Sequence, residues 1–134
     1  KEDVYKLSTE QEHLLKNQLD KIARFSKHRE EITAKYSRLL GLDLDRPLIR
    51  YPVLVDYPNE VKRKLQDIKV IIGNWYNYPV IPRGIDLDRV KYTVGTCPNT
   101  EYTMEHIVNL PTGIEVSKKD VEKIANIVKP HLIP

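Results

Sequence analysis

Residues 8–40 read STEQEHLLKNQLDKIARFSKHREEITAKYSRLL, and the rest of the chain is organised around them. The stretch holds neither Pro nor Gly, so no residue in it interrupts helical hydrogen bonding. It opens on Thr9-x-x-Glu12, a capping-box spacing in which hydroxyl and carboxylate satisfy free backbone donors at a helix start. Leu15, Leu19, Ile22, Ile32, Tyr36 and Leu40 recur close to the helical period and form one apolar stripe. Lys21, Arg24, Lys27, His28, Glu30, Glu31 and Lys35 fall mostly on the other side. Gly41 supplies a C-terminal stop. Such a helix is out of scale for a chain of 134 residues, and nothing obvious in the remainder fills its whole stripe. That mismatch is the first clue to function.

Composition bounds the class. Charged residues make up 31% and hydrophobic ones 40%, ordinary for a globular domain, and the length suits one domain. No apolar run approaches a membrane span and no secretory leader is legible. The chain opens Lys1-Glu2-Asp3 and its only Met is Met104, so it is expected to be the interior of something larger. The single Cys97 excludes an intrachain disulfide and fits a reducing cytoplasm, the expected location. A net charge of +3, with Lys and Glu interspersed, argues against nucleic acid as a partner.

After the long helix, residues 42–47 read as a connection broken by Pro47. Residues 48–55, Leu-Ile-Arg-Tyr-Pro-Val-Leu-Val, read as a strand, with Pro52 placing it at an edge or a bulge. Tyr57-Pro58 opens a short helix over residues 60–66 with Val61 and Leu65 on one side. Residues 69–72 read as a second strand, and residues 107–111 as a third, stopped by Pro111 and Gly113. Between these lies an irregular aromatic stretch, residues 75–98, followed by the end of a short helix at residues 102–106. Ser117 caps a last helix that buries Val121, Ile124, Ala125 and Val128 and ends before Pro130. The fold class is α+β: a long N-terminal helix and a small, mainly antiparallel sheet with helices on one face. The expected division is residues 1–41 as lead-in and interdomain helix, and residues 42–134 as the small domain.

The search for chemistry is mostly negative. His13, His28, His106 and His131 show no metal-ligand spacing, and His13 and His28 read as solvated helix positions. Cys97 lacks a sequence neighbour that would activate its thiol. Five glycines leave no room for a phosphate loop, and Glu30-Glu31 and Asp86/Asp88 read as surface charge. One constellation stands out. Trp75, Tyr76 and Tyr78 with Arg83 suit a pocket for a polar ring, the aromatic faces packing its apolar side and the polar tips its edges. The same aromatics serve equally as a satellite core beneath a long loop.

Here the residues resemble a family. Tyr5-Lys6-Leu7-Ser8-x-x-Gln11, then Gln18-Leu19, Arg29-Glu30-x-Ile32 and Tyr36, are similar to the segment leading into the long helix of DegT/DnrJ-type sugar aminotransferases. Residues 50–55, residues 72–79, Cys97-Pro98-Asn99-Thr100-Glu101, Asn109-Leu110-Pro111-Thr112 and Asp120-Val121 match, in order, pieces of that family's C-terminal small domain. The resemblance covers nearly the whole chain.

It implies the small domain of the aspartate-aminotransferase fold, from a pyridoxal-phosphate enzyme acting on a nucleotide-linked keto-sugar. The family's Schiff-base lysine and most cofactor contacts lie in a large domain upstream, so this chain alone is expected to carry no catalytic residue and hold no cofactor. By resemblance, Tyr5 and Lys6 belong to a loop that reaches a neighbouring subunit's cofactor phosphate, which implies a homodimeric parent. Trp75, Tyr76, Tyr78 and Arg83 are the expected substrate contacts. Three positions depart from the family pattern. Val4 and Lys6 stand where Asn and Arg are usual, and Ile81 where His often follows. These departures leave a second reading open, a non-catalytic interaction or regulatory module built on the same fold. The resemblance also offers a reason for the long helix: it bridges two domains, with Ser26 and Arg29 as interdomain contacts and Leu15, Leu19 and Ile22 left uncovered by this chain.

Overall fold

The computed structural model describes residues 6–44, 46–73, 75–82 and 84–133. The element order is α1 (Thr9–Leu40), β1 (Arg50–Leu54), α2 (Pro58–Asp67), α3 (Pro98–His106), β2 (Ile107–Pro111) and α4 (Lys118–Val128), closed by a single 3-10 turn at Lys129–His131. β1 and β2 form a two-stranded antiparallel sheet, and three helices cover one of its faces, the expected α+β arrangement.

Alternation decides which face is covered. Tyr51 and Val53 of β1 pair in register with Leu110 and Val108 of β2, and all four are buried. They meet Ile32, Tyr36 and Leu40 of α1, Val61 and Leu65 of α2, and Val121, Ile124 and Val128 of α4. Each such aliphatic side chain contributes about 1.5–3 kcal/mol when fully buried, so this one cluster carries the fold. The Tyr36 and Tyr51 rings lie 5.1 Å apart, and the Tyr36 hydroxyl donates to the Pro111 carbonyl at 3.3 Å. Burial pushes the Tyr36 phenol well above its ordinary pKa.

Pro52 sits inside β1 without a bulge. The Val55 amide bonds the His106 carbonyl, so odd-numbered β1 residues face the β2 ladder and Pro52 falls at a non-hydrogen-bonded position opposite Asn109. Its missing N–H points away from β2, where a proline removes nothing from that ladder. On that outer side Val55 makes a bridge to Leu132, and Asp56 and Leu54 bond His131 and Ile133.

The second strand expected at residues 69–72 does not form. The amides of Lys69 and Val70 are spent on the carbonyls of Gln66 and Leu65, closing the end of α2, with Lys69 in the left-handed region at φ 63°. The outer edge of β2 offers little in return. The Ile107 amide is held by the Thr103 carbonyl, Pro111 has no N–H, and Asn109 is left as the one outward backbone donor of that strand. Val70 and Ile72 still pack against the core, while Ile71 between them is 88% exposed. The alternation is that of a strand without its ladder.

α1 has two halves. The box at its start uses Ser8 and Gln11 rather than Thr9 and Glu12: the Ser8 hydroxyl accepts the Gln11 amide at 3.3 Å and the Gln11 side chain accepts the Ser8 amide at 2.9 Å. Gly41, at φ 74°, ends the helix in the left-handed conformation. From His28 onward α1 is bound into the domain. His28 Nε2 donates to the Gly113 carbonyl at 2.9 Å, so His28 is a structural tether and not a solvated residue. Ion pairs Lys35–Glu122 at 2.6 Å and Glu31–Lys118 at 3.0 Å join α1 to α4. By contrast, every residue from 6 to 24 is exposed. Leu15, Leu19 and Ile22 are 46%, 51% and 52% exposed, as the bridging account requires of this chain. Among the described residues no helix is long and apolar enough to cross a membrane.

Candidate functional site

The aromatic stretch lies on the side of the sheet that the helices leave free. The Asn109 side chain, on that face opposite Pro52, donates through Nδ2 to the Trp75 carbonyl. This bond and the packed Val70 and Ile72 bring the loop across the sheet.

α3 forms the other wall. The sequence suggested only its last turn, but the helix begins at Pro98, which is tolerated at the start because its missing N–H is unpaired there anyway. No side chain caps it, and none of its nine residues is buried. Its hold comes from Glu101. One carboxylate oxygen accepts both the Tyr92 hydroxyl and the Gly95 amide, each at 2.6 Å, and the Glu101 amide bonds the Cys97 carbonyl at 3.0 Å. The hydrogen bond to Glu101 pushes the Tyr92 phenol up to about 12, and the same bond from Tyr92 holds Glu101 below the usual carboxylate range.

Between loop and helix lies a cavity of about 260 Å³, lined by Tyr76, Tyr78, Asn99, Thr100, Thr103 and Met104, with Ile107 at its base. The expected substrate residues are thus partly brought together. Tyr76 and Tyr78 line the cavity. Trp75 does not; it stands 64% exposed, its ring centroid 5.9 Å from that of Tyr76. Arg83 and Tyr5 lie outside the described residues, and Lys6 is exposed ahead of α1. Asn99, Thr100 and Thr103 were missed. The Cys-Pro-Asn-Thr-Glu run marked them as part of a motif, but nothing in the sequence places residue 99 beside residue 76. A second cavity of about 470 Å³ shares Thr103 and Ile107 and is otherwise almost wholly apolar, with Leu42, Leu44, Leu54 and Ile133 in its walls.

Titratable clusters are few. Among the described residues no group of three or more His, Cys, Asp or Glu side chains converges to hold a metal. His131 accepts a hydrogen bond from the Lys64 amine at 3.2 Å, and the same amine pairs with Glu60 at 2.7 Å. His106 bonds the Tyr102 carbonyl at 2.7 Å, its ring stacked on that of Tyr102. Cys97 is exposed.

The family model described as the DegT/DnrJ/EryC1/StrS aminotransferase family matches residues 4–129. The chain belongs to this family. Its fold is that of solved DegT/DnrJ/EryC1/StrS relatives. A DegT/DnrJ/EryC1/StrS aminotransferase from Brucella abortus superposes with a TM-score of 0.74 at 19% identity, over 97% of this chain and 39% of that one. A sugar aminotransferase from Micromonospora echinospora gives 0.66 at 14% identity, over 84% of this chain and 32% of that one. The chain therefore spans well under half the length of either neighbour. No curated protein matches it. Family and fold together make this an aminotransferase-related domain.

Proposed function

We propose that this chain is the C-terminal small domain of a pyridoxal-phosphate-dependent aminotransferase that aminates a nucleotide-linked keto-sugar in the cytoplasm. The observation that carries the reading is the family match over residues 4–129, in a chain that accounts for 39% of a solved relative. In this reading a large domain supplies the cofactor site, the apolar residues of α1 from Leu15 to Ile22 dock on it, and the parent is a homodimer. Tyr76 and Tyr78, with Trp75 beside them, contact the substrate; Arg83, Tyr5 and Lys6 keep their expected roles.

Pyridoxal phosphate, when bound, supplies an electron sink, and it needs a lysine, a stacking group and a partner for its ring nitrogen. The described residues of this chain do not fit that requirement. Lys35 is committed to Glu122. Burial pushes the Lys62 amine below its ordinary pKa, but its cavity is lined by Gln66, Val70, Ile71 and Ile72, with neither ring nor carboxylate. No step of the reaction is therefore assigned to a residue of this chain through the cofactor.

The test is made on the full-length protein of which this chain forms part. Loaded with pyridoxal phosphate, it should move an amino group from an amino acid to a nucleotide-linked keto-sugar. Failure to aminate any such sugar, by a protein that does bind the cofactor, overturns the reading and favours the non-catalytic module.

A further inference from the structure

α3 is a helix without a core to explain it. Among its nine residues no side chain is buried, yet it is anchored by Glu101 and continues directly into β2. Its inward residues Thr100, Thr103 and Met104 face the cavity instead, across from Tyr76 and Tyr78. Helices of this kind usually gain their stability from a packed apolar stripe. Here that stripe is replaced by a hydroxyl-bearing wall.

We propose that this cavity takes the sugar ring of the substrate, and that Asn99 and Thr100 select that ring by hydrogen bonding its hydroxyls. The inference rests on the function proposed above and adds to it which part of the substrate enters and which residues read it. Three observations favour the ring. Among the described residues no Lys, Arg, Asp or Glu lines the cavity, so none of them offers a diphosphate or an ammonium group a counter-charge there. The volume of about 260 Å³ is below the usual range of about 300–1,000 Å³ for drug-sized ligands, and suits one ring better than a whole nucleotide-sugar. Aromatic faces on one wall and short polar side chains on the other match a ring with apolar faces and a hydroxylated rim.

The polar groups are also available. Among the described residues the Asn99 and Thr100 side chains make no hydrogen bond, whereas Glu101 beside them makes two through its carboxylate. Trp75 stands exposed next to Tyr76, outside the cavity.

The experiment uses the full-length enzyme with nucleoside-diphosphate-linked keto-hexoses and the matching free nucleoside diphosphates as competitive inhibitors. Asn99→Ala and Thr100→Val should each raise KM for the keto-hexose about fivefold to twentyfold, the loss expected for one substrate hydrogen bond. Inhibition by the free diphosphate and KM for the amino donor should stay within about twofold, and Thr100→Ser should restore KM. Both positions are exposed on a surface helix, and unchanged thermal midpoints would confirm that the variants fold. Equal weakening of keto-hexose and free diphosphate would assign the cavity to the nucleotide and overturn the proposal. So would unchanged keto-hexose KM in both variants. A wild-type enzyme that aminates no nucleotide-linked sugar fails earlier, before any variant is compared, and removes the underlying function as well.

Discussion

The Tyr92 hydroxyl and the Glu101 carboxylate meet at 2.6 Å, and through that contact an irregular loop is fastened to a helix that has no fully buried side chain. Tyr92→Phe or Glu101→Gln should therefore loosen residues 92–97 without unfolding the core. The check is faster amide exchange confined to that loop and to α3. The pH dependence has two ends. Glu101 is depressed in the fold, so its contribution is present above the ordinary carboxylate pKa and is lost as pH falls through the folded value. Tyr92 is raised to about 12, so its contribution is full below the ordinary tyrosine value of 10 and is lost as pH climbs toward 12. A tyrosinate absorbance titration should show, besides the buried Tyr36, a late-ionising phenol that Glu101→Gln brings down.

Truncating two leucines should give opposite results. Leu65 is fully buried, and Leu65→Ala should cost about 2–5 kcal/mol in a denaturant melt of the isolated chain. Leu19 is half exposed on the free part of α1, and Leu19→Ala should stay within about 0.5 kcal/mol in the same chain. In the full-length protein the proposed docking of a large domain on this stripe predicts that Leu19→Ala costs clearly more. Equal and small effects in both settings would refute the docking of α1.

Thr33 is 1% exposed in the middle of α1, and its hydroxyl finds no partner among the described residues. Burying such a hydroxyl unpaired carries a penalty that a methyl group of the same shape avoids. Thr33→Val should raise stability by about 1 kcal/mol, helix propensities being nearly equal. A lower denaturant midpoint would mean that the hydroxyl is satisfied after all.

The two capping serines should not behave alike. The Ser117 hydroxyl accepts the Asp120 amide at 3.2 Å at the head of α4, which is packed on the core. Ser117→Ala should lower global stability by about 0.5–2 kcal/mol. The side-chain bond from Ser117 also holds Asp120 below its ordinary pKa, so this cap weakens as pH falls through the folded Asp120 value. Ser8 caps an exposed helix end. Ser8→Ala should reduce helicity by circular dichroism yet leave the melting midpoint unchanged.

The parts of the fold readable in sequence were those set by burial on one side. Ile32, Tyr36 and Leu40, Val61 and Leu65, and Val121 to Val128 announce themselves because periodicity and burial coincide. The strand at residues 69–72 misled because its alternation is real, whereas its hydrogen bonds depend on donors elsewhere in the chain. α3 was hidden for the opposite reason: Pro98, Asn99 and Thr100 are weak helix signals, and no apolar stripe follows them. The site shows the same limit. Aromatic density pointed to Tyr76 and Tyr78, but the wall opposite them comes from residues more than twenty positions away, joined by tertiary contacts alone.

α1 contains neither Pro nor Gly, and its second half is locked to the core by Ile32, Tyr36, Leu40, His28 and two ion pairs. Nothing along it can bend sharply. It works mechanically as a rigid lever: a tilt of about 5° at its root swings the far end, roughly 24 Å away at 1.5 Å per residue, by about 2 Å. Any body seated on Leu15, Leu19 and Ile22 must therefore move in step with the sheet and with the cavity behind it. A hinge within this helix is thereby excluded, and the helix and the wall of the cavity travel as one piece.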